Sequence, residues 1–163
     1  MQIEIVPFKS SYLKGVLDVW NEVVIAGKAF PQTEILNENT GNDFFMSQSF
    51  TGIALDTTTA EVVGVYILHP NNVGRCSHIC NASYAVKSEF RGNGIGRMLV
   101  IHCIEKARKL SFRILQFNAV VASNKNALSL YESLGFIRLG IIPGGFLNKD
   151  NVYEDIIPHY FIL

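Results

Sequence analysis

Residues 86–97 read Val-Lys-Ser-Glu-Phe-Arg-Gly-Asn-Gly-Ile-Gly-Arg. A strand-like run enters a turn of the form Arg91-x-x-Gly94-x-Gly96, and an amphipathic helical pattern leaves it. Glycine lets a backbone approach a ligand closely and aim its amides at it. The first turn of a helix adds N–H groups without intrahelical partners and a partial positive charge. Together they make an anion cradle suited to a pyrophosphate. Taken alone, the spacing is equally that of an ordinary strand-to-helix turn. A dinucleotide-binding turn fits less well, because its Gly-x-Gly-x-x-Gly normally opens a parallel domain and this turn follows a fourth strand.

Other residues with chemistry stand nearby. Tyr131 carries a phenol that can donate a hydrogen bond or a proton to developing negative charge. Asn118 sits in a run that is otherwise apolar from Ile114 to Val121 apart from Gln116. An amide buried there must find partners or cost about 1–3 kcal/mol. It could serve a ligand, since it offers both donors and an acceptor, or an internal network. Asn81 lies on the strand before the glycine turn, and Asn124 is both a candidate ligand and a good helix cap. Cys76, His78 and Cys80 alternate along a strand, which is not the spacing of a closed metal site, so no metal is expected. Cys103 reads as core, and Lys106, Arg108 and Lys109 as a solvated helix end. No nucleophile has a neighbouring base, which argues against a covalent acyl-enzyme.

The elements that must hold these residues follow from pattern. Residues 2–6 alternate as a strand closed by Pro7. Ser10 or Ser11 caps a helix to about Ala26, with Leu13, Leu17, Trp20 and Val24 on one face. Residues 31–40 read as loop and 40–49 as a short helix bearing Phe44 and Phe45. Residues 51–55 and 61–68 read as a hairpin, then residues 79–86 as a strand. Residues 95–110 form a helix, 113–121 a buried strand and 124–134 a helix stopped by Gly135. Residues 136–139 and 152–160 close the order as strands. That order predicts an α/β, or α+β, mixed sheet in one domain spanning residues 1–163.

Composition bounds the partners. Of 163 residues, 48% are hydrophobic and 17% charged, which excludes global disorder. The 14 basic and 14 acidic residues balance, against binding nucleic acid or an anionic membrane by bulk charge. Three cysteines, no signal-like N-terminus and no long apolar run predict a cytoplasmic protein.

The stretch 124–136, Asn-Lys-Asn-Ala-Leu-Ser-Leu-Tyr-Glu-Ser-Leu-Gly-Phe, changes the weight of the glycine turn. Together, the two motifs resemble those of the GCN5-related N-acetyltransferases, and the likeness extends over essentially the whole chain. It implies a mostly antiparallel central sheet whose two middle strands splay apart, flanked by helices. It implies acetyl-CoA as cosubstrate. By the family's pattern, the amides of Arg91, Gly92, Asn93, Gly94, Ile95, Gly96 and Arg97 hold the pyrophosphate. Ala85 and Val86 contact the pantetheine arm, Tyr131 protonates the leaving thiolate, and Asn124 lies beside the cofactor. A looser likeness joins residues 69–81 to fungal acetyltransferases acting on proline analogues. There, asparagines matching Asn81, Asn118 and Asn124 line the acceptor pocket.

The expected function is N-acetylation of a small-molecule amine, an amino or imino acid, by direct attack in a ternary complex. The strand amide near Val86 would polarise the thioester carbonyl. The base stays open between Glu22, Glu89 and a water relay. Peptide N-acetylation and non-catalytic acyl-CoA binding are the alternatives, and a homodimer is compatible with the family.

Overall fold

Every residue, 1–163, is described in the computed structural model, and eight strands share one sheet. The strands are β1 (Ile3–Pro7), β2 (Phe50–Asp56), β3 (Glu61–Pro70), β4 (Ile79–Val86), β5 (Ile114–Val121), β6 (Ile137–Arg138), β7 (Ile142–Leu147) and β8 (Tyr153–Ile162). The helices are α1 (Leu13–Ala26), α2 (Glu38–Met46), α3 (Ile95–Lys109) and α4 (Lys125–Ser133). Strand order is β1-β2-β3-β4-β5-β8-β6, with β7 also on β8. All pairings are antiparallel except β4 with β5. The expected mixed sheet with flanking helices is the observed one.

Two apolar layers cover the sheet. Val16, Val19, Trp20 and Val23 of α1 pack with Phe45 of α2 on Ile53, Val65 and Ile67. Leu99, Cys103 and Ala107 of α3 pack with Leu128 of α4 on Tyr66, Leu68, Leu115 and Phe117. Cys103 is therefore core, as its helical spacing predicts, while Leu110 ends the same stripe exposed. No helix is long and apolar enough to cross a membrane.

Local details depart from expectation at the ends of elements. Ser10 and Ser11 do not cap α1: they form a 3₁₀ turn, and Ser10 Oγ donates to Asn42 Oδ1 at 2.8 Å. α2 starts earlier than residue 40, because Asn37 accepts from the Asn39 and Thr40 amides in a capping box. β7 was not expected at all. Its Pro143-Gly144-Gly145 reads as a turn, and it is a strand interrupted by an irregularity between Ile142 and Phe146.

β4 and β5 share only two register pairs, Ile79 with Ile114 and Cys80 with Leu115. Beyond them the strands part. β5 then bulges: three steps from Phe117 to Val120 oppose two steps from His159 to Ile157 on β8. The bulge falls on Asn118 and Ala119, so Asn118 is exposed rather than buried mid-strand, correcting the expectation from its apolar neighbours.

Trp20 anchors the helical side of the gap. It is 1% exposed, and its ring lies 4.5 Å from Phe30 and 5.3 Å from Phe44 between centroids. Trp20→Ala is expected to cost about 3–5 kcal/mol. At roughly 2–4 °C per kcal/mol for a chain of this size, the melting temperature should fall by about 6–20 °C. A fall below about 3 °C in thermal unfolding would contradict this packing.

Candidate active site

The gap between β4 and β5 opens into a cleft of about 600 Å³. Strand parity decides what faces it. Lys87 N–H donates to Val63 O, and Ile79 O accepts from Asn71 N–H, so odd residues of β4 turn their backbone groups toward β3. Ala82, Tyr84 and Val86 turn theirs into the gap. Ala85 is therefore misplaced by the sequence reading: its backbone serves β3 and its side chain is buried under α1. Val86 lines the cleft.

The glycine turn stands at one end. Gly92 and Gly94 have φ of 82° and 77°, a conformation that favours glycine, and a Cβ on either would meet nothing within 4 Å. Gly94 is the N-cap of α3 and supplies no side-chain cap. The first helical bond at this end runs from Met98 N–H to Gly94 O, leaving the amides of Ile95, Gly96 and Arg97 without intrahelical acceptors. Arg91, Gly92, Gly94, Ile95, Gly96 and Arg97 all line the cleft. Asn93 does not: its amide folds back onto the carbonyls of Phe90 and Arg91 at 3.0 and 3.4 Å. These unpartnered donors, beside open space and two guanidinium groups, fit a pyrophosphate.

The charged groups here have structural ties. Arg91 Nε donates to Val86 O at 3.1 Å, and Arg97 donates to Ser133 Oγ at 2.9 Å. Glu22 accepts from Ser88 N–H at 2.9 Å and from Arg91 at 3.4 Å. Glu89 pairs with Lys87 at 2.7 Å. Neither carboxylate lines the cleft, so the structure brings neither candidate base to the site; Glu22 braces the turn. Among the lining residues only Arg91 and Arg97 carry charge.

Tyr131 lines the middle of the cleft in an aromatic group, 4.5 Å from Phe117 and 6.4 Å from Tyr84 between ring centroids. Its hydroxyl has no protein hydrogen-bond partner. Burial pushes its phenol, and that of Tyr84, above the ordinary tyrosine range, so both stay protonated. Behind Tyr131 lies His159, fully buried, with Nδ1 bonded to Ile157 O at 2.7 Å and Nε2 unpartnered. Burial lowers its pKa and keeps it neutral.

Asparagines gather at the other end. Asn81 and Asn118 line the cleft, and Asn118 exchanges hydrogen bonds with Asn71. Asn124 lines the cleft at the glycine-turn end instead, just past the C-terminus of β5, and its Oδ1 caps α4 by accepting from Ala127 N–H at 3.2 Å. Ala29, Phe30 and Pro31, from the loop after α1, also line the cleft. The sequence reading missed them, because nothing in an apolar loop marks it as facing a site. The metal alternative has no geometry: Cys76 is exposed, whereas Cys80 is buried and donates to Ile114 O.

Comparison with known proteins places the chain in a family. Residues 23–136 match the model of the acetyltransferase (GNAT) family. The N-acetyltransferase aca1 of Schizosaccharomyces pombe is 34% identical over 151 residues, 83% of this chain and 72% of that protein. A GCN5-related N-acetyltransferase from Kribbella flavida superposes with a TM-score of 0.90 at 29% identity, covering 99% of this chain and 98% of the other. A phosphinothricin acetyltransferase from Sinorhizobium meliloti, solved in complex with AcCoA, shares the fold with a TM-score of 0.90 at 18% identity, covering 100% and 89%.

The cradle is tested by a pair of matched substitutions. Gly94→Ala and Gly74→Ala both strain a left-handed backbone and both place a methyl in open space. Only Gly94 faces the cleft. Gly94→Ala is expected to weaken acetyl-CoA binding by about tenfold or more, with Gly74→Ala within about twofold of wild type. Equal affinities in calorimetry would remove the turn from the cofactor site.

Proposed function

The chain belongs to the acetyltransferase (GNAT) family and is an N-acetyltransferase with acetyl-CoA as cosubstrate; from that premise we propose that residues 1–163 form one domain that acetylates a small amine bearing a carboxylate, an amino or imino acid. The observation that carries this is the polarity of the cleft. Its cations sit at the glycine turn, and its far end offers neutral amides between apolar walls. Such a surface supports a small acceptor whose carboxylate takes amide hydrogen bonds. Three free cysteines support a reducing, cytoplasmic setting. The balanced charge speaks against nucleic acid or an anionic membrane as partner. Exposed Ile137, Leu139 and Ile141 on the β8 edge support a homodimer.

Acetyl-CoA, when bound, supplies the thioester carbonyl that the amine attacks. The amides of Gly94, Ile95, Gly96 and Arg97 hold its pyrophosphate, and the edge of β4 at Ala82, Tyr84 and Val86 aligns its arm. Val86 N–H faces the gap unpaired but lies at the pyrophosphate end, so charge on the carbonyl oxygen falls to the gap-facing N–H groups nearer the asparagines, those of Tyr84 and Ala82. Tyr131 Oη, protonated and unpartnered, gives its proton to the departing sulfur. No lining carboxylate, histidine or lysine is available as base, so the amine sheds its proton to water.

Two outcomes check this. Tyr131→Phe keeps the ring and is expected to lower kcat by about 10²–10⁴-fold with unchanged acetyl-CoA affinity; a kcat within twofold, with chemistry rate-limiting, makes Tyr131 a packing residue. The pH profile has a definite sign. Because the amine reacts neutral, kcat/KM should rise about tenfold per pH unit up to the acceptor's own amine pKa, about 10 for an ordinary amine, and level there. A plateau beginning near pH 7 for such an acceptor would require an enzymic base. A thiol-release screen across amino acids, imino acids and peptides tests the substrate class. Turnover confined to peptide α-amines would overturn it.

A further inference from the structure

Asn71 follows β3 and is not part of the cleft wall, yet it touches both asparagines that are. Asn118 Nδ2 donates to Asn71 Oδ1 at 2.7 Å, and Asn71 Nδ2 donates back to Asn118 Oδ1 at 3.2 Å. Asn81 Nδ2 reaches the same Asn71 oxygen at 3.5 Å. Gln116 Nε2 gives Asn118 Oδ1 a second donor at 3.0 Å. Asn71 is itself fixed by its backbone, whose N–H donates to Ile79 O at 2.8 Å. We propose that Asn71 is a positioning residue that locks the amide orientation of Asn118 and Asn81, and so makes the acceptor end select amines that carry a carboxylate. The proposal rests on the small-acceptor reading above.

The donor count gives the reason. An amide oxygen has two lone pairs and an amide nitrogen two hydrogens. Asn118 Oδ1 already takes two N–H donors, one from Asn71 and one from Gln116. A flipped Asn118 would set its own N–H groups against both. Asn118 can therefore not turn over alone, and in this arrangement it shows the cleft its remaining N–H. Asn81 turns an N–H toward Asn71, and its Oδ1 takes no donor from the protein. The acceptor end thus presents a donor from β5 and a free acceptor from β4. That polarity matches a carboxylate on one side and an amine N–H on the other. Without Asn71, the Asn118 amide loses its reciprocal partner and can present oxygen, which repels a carboxylate.

The test compares azetidine-2-carboxylate with azetidine-2-carboxamide in wild type, Asn71→Ala and Asn71→Asp. Comparing the acid-to-amide ratio of kcat/KM between variant and wild type at one pH cancels the acceptors' different amine pKa values. Both variants are expected to lower the acid-to-amide ratio by about tenfold or more, chiefly through the acceptor KM. Acetyl-CoA KM should stay within about twofold. Gln116→Ala removes the other donor to Asn118 and should shift the ratio in the same direction, which keeps the test open if an Asn71 variant does not fold. A wild type that prefers the acid, with folded variants losing equally on both acceptors, would overturn the role of Asn71 alone. A wild type that acetylates peptides and neither azetidine would overturn the small-acceptor reading, and this proposal with it.

Discussion

The parting of β4 from β5 after two register pairs governs the rest of this structure. A sheet normally satisfies each backbone N–H and C=O across its ladder. Here the ladder stops at Cys80 and Leu115, and the facing groups of Ala82 and Tyr84 and the N–H of Val86 are left for something else, the Val86 carbonyl being taken by Arg91. The open edge persists because neighbouring elements hold both strands from outside. β4 keeps its full register with β3, and β5 keeps β8 on its other side across the bulge. A ligand that adds itself to the exposed edge of β4 completes the ladder that β5 abandons.

Charge is divided along the cleft in a way that suits acyl transfer. At one end the free amides of α3 and two arginines gather positive potential without a carboxylate among the lining residues. Glu22 contributes by bracing Ser88 and Arg91 from behind, so its negative charge is spent on the protein. In the middle, burial keeps Tyr131 in the form that can give a proton. At the far end there is no charge to match an ammonium group.

Most of this architecture was legible in the residues. The boundaries of β4 match the alternating pattern, and those of α3 match within a residue, because burial of one face dictated the sequence there. The glycine turn and Tyr131 were found by type and spacing, and the structure sets both on one cleft. Several features could not be read. Strand parity excludes Ala85, and parity depends on the register with β3. The bulge exposes Asn118, whose apolar neighbours argued for burial; a bulge depends on the partner strand β8. Asn71 and the loop bearing Phe30 approach the site only through tertiary packing, with no local signature. β7 was hidden for the reverse reason, since Pro143, Gly144 and Gly145 carry the composition of a turn.

The unpaired edge of β4 can be observed amide by amide. Hydrogen exchange resolved by NMR, with and without acetyl-CoA, would separate the even-numbered amides of Ala82, Tyr84 and Val86 from the odd-numbered ones bonded to β3. The account predicts that acetyl-CoA slows exchange at these three and at Ile95, Gly96 and Arg97, while Ser83 and Ala85, already bonded, change little. Protection spread evenly along β4, or confined to residues outside the cleft, would contradict it.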